Sequence, residues 1–431
     1  MKIKTKILIG ILGCLVFLVC GCGKGNEEVG AALDQPADPT PIVGANLDQS
    51  TTPTPIVGTS LDQLTTPTPT VGAALDQPAD PTSLIDEFLN KMTMEEKVAQ
   101  MFIVLPESYV GVGSVTSAGE ATKAAVDARP IGGLIYMEGN LQSTEQVRDM
   151  LSNLQSYSKE RIGLPMFTTI DEEGGTVARI SGRGDFGVQA LGNMSEIGRS
   201  GDVSRAAEVG NEMGQYLSDL GFNVDFAPDA DVLSNPDNQV VSKRSFGSEP
   251  KMVTDMALAV ARGLQAQGVC ATFKHFPGHG ATSGDTHEGY AYTDKSLEQL
   301  RDCELIPFEA AIADEIPFIM VGHISVPAVI GDNTPSSLSH TMITDILRGQ
   351  MGYDGIVITD AMNMGAIVNT YSSSEAAVKT ILAGTDIVLM PADFNSAYQG
   401  VISAVEDGSI STERIDESVR RILKVKLGLA S

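Results

Sequence analysis

The sequence predicts an α/β fold with parallel strands, a (β/α)8 TIM barrel, and three observations carry that expectation. From about Ser83 to Leu429, short β-rich runs alternate with amphipathic stretches of helix length, the pattern of βαβ units. Eight such runs can be counted, the number that closes a barrel. Polar residues gather where these apolar runs end, and in a parallel barrel those ends share one mouth. A doubly wound open sheet gives a similar alternation, so both architectures stand at this point.

The first 82 residues lie outside that alternation. Lys2, Lys4 and Lys6 precede an apolar run from Ile7 to Cys20 that is shorter than a membrane span and shaped like a secretory signal. Leu18-Val19-Cys20-Gly21-Cys22 resembles a bacterial lipobox, in which a small residue precedes the lipidated cysteine. Residues 1–21 are therefore expected to be a lipoprotein signal peptide, and Cys22 the lipidated first residue of a protein anchored outside the cytoplasm, on the cell surface. A plain secretory signal is the competing reading.

Residues 22–82 repeat with a period of 14: Val-Gly recurs at Val29, Val43, Val57 and Val71, and Leu-Asp-Gln at Leu33, Leu47, Leu61 and Leu75. Such short units rich in Pro and Thr lack a face to stack, so they read as a disordered spacer rather than a solenoid. At up to about 3.1 Å per residue, a partly extended chain of roughly 60 residues reaches well over 100 Å.

Residues 83–431 are expected to form one catalytic domain. Its strands are predicted at Gln100–Leu105, Gly133–Met137, Met166–Asp171, Asn223–Pro228, Ala271–His275, Phe318–His323, Gly355–Asp360 and Asp386–Met390. Helices are predicted at Thr144–Arg161 with Thr144 as N-cap, Val203–Leu220, Met252–Gln267 and Ser296–Glu315. Hydrophobic residues at 42% and charged residues at 19% supply a sizeable core. A net charge of −26 disfavours phosphate backbones and so excludes nucleic acid as an expected partner. Cys270 and Cys303 read as core thiols, and two cysteines make no disulfide framework.

The strand ends carry Asp171, Asp225, Asp229, Lys274, His275, His323 and Asp360. Burying an unpaired carboxylate or ammonium is costly, so their coincidence implies mutual pairing, a polar ligand, or both. The densest cluster runs from Lys274 to Gly280 and continues with Asp285-Thr286-His287. His275, His279 and His287 with Asp285 could ligate a metal. Phe276-Pro277-Gly278 blocks the helix that the His275–His279 spacing would need, however, so no metal and no cofactor is expected. In Asp285-x-His287 a carboxylate can hold one imidazole nitrogen while the other handles a proton near neutrality. A satisfied surface pair is the bland alternative.

Lys274 to Gly280 with Asp285 and His287, the run Asp171-Glu172-Glu173-Gly174-Gly175 reaching to Arg179, and Ile358-Thr359-Asp360-Ala361-Met362 together resemble glycoside hydrolase family 3. The resemblance is to its β-N-acetylglucosaminidase branch, over about residues 84–429. It implies a retaining double displacement, with Asp360 as nucleophile, His287 as acid/base and Asp285 orienting it. It also implies sugar-binding roles for Asp171, Arg179, Arg244, Lys274 and His275, and cis peptides at Lys274–His275 and Phe276–Pro277. The implied substrate is a terminal β-linked N-acetylglucosamine, as on peptidoglycan fragments. A monomer is expected, though the sequence itself does not reveal the oligomeric state.

Two features fit this resemblance less well. No Trp is present and aromatic residues are only 5%, so ring stacking would fall to Tyr136, Phe276 or Tyr290. Ala281 stands where relatives often carry an acid. The competing readings are a β-glucosidase or β-xylosidase of the same family, which draws its acid/base from a second domain, and a solute-binding surface lipoprotein, which needs no nucleophile. The internal Asp285-x-His287 favours the hexosaminidase. Whether water or phosphate accepts the sugar stays open.

Overall fold

The computed structural model describes residues 81–286, 289 and 291–430. The proposed signal peptide, Cys22, most of the repeat spacer, His287 and Tyr290 lie outside the described residues. The fold is α/β, and every pairing between its strands is parallel.

Ten short strands appear among the described residues: β1 Phe102–Val104, β2 Gly133–Ile135, β3 Phe167–Ile170, β4 Val224–Asp225, β5 Thr272–Phe276, β6 Ala291–Tyr292, β7 Phe318–Val321, β8 Ile324–Ser325, β9 Ile356–Thr359 and β10 Val388–Leu389. One sheet has the order β10-β1-β2-β3-β4 and a second the order β5-β7-β9, with β6 and β8 paired apart from them. Single parallel bridges join Val224 to Cys270 and Ile358 to Ile387. Seven of the eight predicted runs hold one of these strands, and the fifth overlaps β5, which runs one residue past its expected end at His275. The pair β6–β8 was not expected, because two residues are too few to show a period.

Strands β1, β2, β3, β5, β7 and β9 are buried along their whole length, which is why β1, β2 and β7 read as unbroken apolar runs rather than alternating ones. The helix Val203–Leu220 matches its prediction, with Asp202 as N-cap. The helix Thr144–Ile162 is capped by Ser143, one residue earlier than expected, whose hydroxyl accepts from the Gln146 N–H. The predicted helix Ser296–Glu315 is broken into Leu297–Arg301 and Ile306–Ala313. Pro307 lacks an N–H and its ring clashes with the preceding turn, so it starts a second helix instead of continuing the first.

Cys270 and Cys303 are free, partly buried thiols packed against the core. Burial pushes the Cys270 thiol up to about 12. Tyr136 and Phe276 are wholly buried, edge to face against Phe222 and Phe308, so neither is placed to stack on a sugar.

Candidate active site

The polar residues at the C-terminal ends of β3, β4, β5, β7 and β9 interact with one another. Both the Lys274–His275 and Phe276–Pro277 peptides are cis, and so is Ala227–Pro228. Lys274 sends its ammonium to Asp171 Oδ1 at 2.8 Å and Glu173 Oε1 at 2.6 Å. Glu173 in turn takes both arms of Arg244, Nε to Oε2 and Nη2 to Oε1, each at 2.7 Å. Such a forked pair fixes orientation as well as charge.

Arg244 Nη2 also reaches His275 Nε2 at 3.2 Å, and His275 Nδ1 lies 2.8 Å from Asp231 Oδ2. Since a guanidinium only donates, these partners assign the ring proton to Nδ1 and leave Nε2 as acceptor. Burial first, and then the Arg244 charge, pull the His275 pKa down to about 4. Glu173 behaves in the opposite way. Burial alone would raise its carboxyl, but Arg244 and Lys274 hold it well below the usual range.

Asp360 follows β9 directly. Its Oδ1 accepts the Ala361 N–H at 2.8 Å. Burial pushes its carboxyl up, yet the pull of His275, His323, the Ala361 amide and Lys274 prevails and holds it at about 2. His323 receives the Ser337 hydroxyl at Nδ1 (2.7 Å) and donates from Nε2 to the Ala361 carbonyl (3.0 Å), an assignment that rests on those two partners. It thereby steadies the residue next to the carboxylate.

Asp171, Arg244, Lys274, His275 and Asp360 are therefore brought together. Arg179 lies half buried on the loop that Asp171 begins. That loop is shaped by Glu172, whose buried carboxylate accepts the backbone N–H groups of Arg179, Ile180 and Ser181 and the Tyr216 hydroxyl. Asp285 and Thr286 are described, while His287 lies outside. The Thr286 carbonyl accepts the Ala366 N–H at 3.2 Å, so the chain just before His287 is tied to the segment just after Asp360.

Sequence reasoning missed Glu173 and Asp231 as partners. Glu173 lies in the run Asp171-Glu172-Glu173-Gly174-Gly175, where nothing in the sequence marks its role. Asp231 follows Asp229 by two, a spacing that in extended chain puts both on one side. Asp229, Asp231 and His275 bring ligating atoms within 4.8 Å of one another. Arg244 already supplies that cluster's positive charge, with Nε 3.4 Å from Asp229 Oδ2, and no step is assigned to a metal there.

A parallel α/β fold with paired charges and an ionised carboxylate at the strand ends defines the class: an α/β protein with a charged site at the ends of its strands. The description of the glycosyl hydrolase family 3 N terminal domain matches residues 93–425, and the chain belongs to that family.

Among similar proteins, beta-hexosaminidase A of Pseudoalteromonas piscicida is 36% identical in an alignment of 326 positions that covers 69% of this chain and 54% of that protein. Beta-hexosaminidase LpqI of Mycobacterium tuberculosis is 36% identical over 61% of this chain and 68% of its own length. Among solved structures, a glycoside hydrolase family 3 beta-N-acetylglucosaminidase from Paenibacillus sp. str. FPU-7 superposes with a TM-score of 0.74 at 36% identity, covering 79% of this chain and 63% of the other. The chain thus spans little more than half of the first of these relatives.

Proposed function

We propose that the chain is a retaining exo-β-N-acetylglucosaminidase, with residues 83–431 forming one closed (β/α)8 barrel. Closure is supported by β10 pairing with β1 and by the two bridges that link the sheets. The hexosaminidase and N-acetylglucosaminidase names of the relatives support the substrate class.

The observation that carries the mechanism is Asp360. It is a carboxylate kept ionised at a strand end, beside cations that can hold a sugar, and tethered through Ala366 to the residue preceding His287. Asp360 attacks the anomeric carbon while His287, oriented by Asp285, protonates the departing glycosidic oxygen. His287 then takes a proton from water as it displaces Asp360. Asp171, Arg179, Arg244 and Lys274 hold the sugar hydroxyls, and His275 lines the same ring as the neutral acceptor that orients Arg244.

The assay is a panel of p-nitrophenyl glycosides, with and without phosphate. Release from the β-N-acetylglucosaminide but not the β-glucoside is expected, and activity on the glucoside alone would sink the assignment. Phosphate dependence would make the acceptor phosphate. The enzyme is further proposed to work as a monomer on peptidoglycan fragments, held at the cell surface through lipidated Cys22. Cys22→Ala should release it from the membrane fraction.

A further inference from the structure

We propose that Glu304 is a positioning residue for the segment that carries Asp285 and His287, an inference that rests on reading His287 as the acid/base. Glu304 sits in the break that Pro307 makes between helices Leu297–Arg301 and Ile306–Ala313, and its side chain is wholly buried. Its Oε1 accepts the Ser234 hydroxyl at 2.6 Å and also the Lys295 ammonium, and Lys295 Nζ lies 3.1 Å from Ser234 Oγ. Among the described residues its buried Oε2 has no hydrogen-bond partner.

These contacts fall on both stems of the segment. On the leading side, a Cβ built at Gly278 would stand 2.6 Å from Glu304 Cβ, so the turn after the cis peptides rests directly on this side chain. Ser234 places its neighbour Asn235, whose backbone N–H donates to the Gly280 carbonyl at 3.0 Å and whose Nδ2 donates to the Thr282 carbonyl at 2.8 Å. Gly280 leaves no slack there, since a Cβ on it would lie 2.0 Å from the Val232 carbonyl oxygen. On the returning side, Lys295 follows Tyr292, whose N–H and carbonyl pair with those of Ser283 at 3.0 Å each.

One carboxylate oxygen therefore fastens Ser234 and Lys295 at a single point, and the Glu304 stem supports Gly278. A buried ion pair contributes little net stability, because desolvation offsets the attraction. What it supplies here is a fixed distance between the two stems. An apolar side chain could fill the same space but could accept neither donor.

The test compares wild type, Glu304→Leu, Glu304→Gln and Ser234→Ala on aryl β-N-acetylglucosaminides of different leaving ability, with and without azide. Displacing the acid/base spares a 2,4-dinitrophenyl leaving group, which needs no proton, and slows a phenyl one. Azide displaces Asp360 from the glycosyl-enzyme without base help, giving the glycosyl azide.

Glu304→Leu is expected to lower kcat/KM for the phenyl glycoside about 100-fold and for the dinitrophenyl glycoside less than about threefold, with azide restoring turnover. Glu304→Gln should recover most of the loss. Ser234→Ala should show the same pattern at about tenfold, and it carries the test if Glu304→Leu does not fold. Equal losses for both leaving groups with no azide response, or kinetics matching wild type, would overturn the role of Glu304 while leaving the enzyme's assignment intact. A wild type inactive on every N-acetylglucosaminide would instead overturn the assignment and this role with it.

Discussion

Lys274, at the mouth end of β5, and Lys426, on the helix Thr412–Ala430 near the opposite end of β3, are both buried, yet the protein treats them oppositely. Lys274 faces two carboxylates, and although burial works against its charge, Asp171 and Glu173 raise its pKa above the usual lysine range. Among the described residues Lys426 has only the Gln100 Oε1 at 2.8 Å and the Phe167 ring 4.9 Å below it, and burial lowers its pKa to about 7. Burial thus disfavours both ammonium groups, and the presence of carboxylates decides which one stays charged. At the strand ends the charge is kept because Asp171 and Glu173 surround it. At the far end the chain tolerates a lysine it nearly neutralises.

The largest effect should come from removing the carboxylate those mouth cations surround. Asp360→Ala is expected to lower kcat on the order of 10^4-fold while the protein still binds N-acetylglucosamine. Calorimetric titration beside the p-nitrophenyl assay separates the two, and a variant that kept more than a tenth of its activity would refute Asp360 as the nucleophile. Next comes Glu173→Ala, which leaves Lys274 and Arg244 crowded together without their shared counter-charge. Removing one partner of a buried ion pair costs about 3 kcal/mol or more, so urea unfolding should show a loss of that size together with a raised KM. A Glu173→Ala protein as stable as wild type would mean that solvent already screens these cations, and the contrast with Lys426 would collapse.

How much of this contrast was legible in the sequence differs at the two ends. The mouth announced itself because charged residues at apolar strand ends are costly and therefore informative. Asp171, Lys274, His275 and Asp360 could be picked out one strand at a time. Glu173 and Asp231 could not, because their meaning lies in partners more than 30 residues away, and neither could Glu304, whose partners Ser234 and Lys295 lie 70 and 9 residues from it. Glu304 was hidden further by an expected helix that Pro307 breaks.

The strands were readable as apolar runs, but their order in the sheet was not, since no residue records its neighbour. Lys426 left a fainter sign. It continues the spacing of Ile415, Val419, Ile422 and Leu423, all buried on one helix face, and so occupies a position where an apolar side chain is expected.

That position makes Lys426→Met the next test, with a smaller effect and the opposite sign. The folded pKa is depressed from 10.5 to about 7, so between those values the unfolded chain binds more protons than the folded one and stability rises with pH. The cost is fully present below about pH 7 and gone above about 10.5. Lys426→Met should therefore gain on the order of 3 kcal/mol at pH 6 and progressively less toward pH 10, as read by thermal unfolding across pH. A gain independent of pH would point to packing rather than charge.

The smallest effect expected is none, and it sharpens the comparison from the side of the mouth. Asp360, held at about 2, and His275, held at about 4, both keep one protonation state from pH 5 to 8. The affinity for N-acetylglucosamine should then be flat across that interval in calorimetric titrations. Below about pH 4, His275 gains a proton on the nitrogen that faces Arg244, loses its role as acceptor, and affinity should fall. A slope between pH 5 and 8 would mean that a group outside this cluster controls binding, and the mouth would no longer be the place where charge is fixed by its own partners.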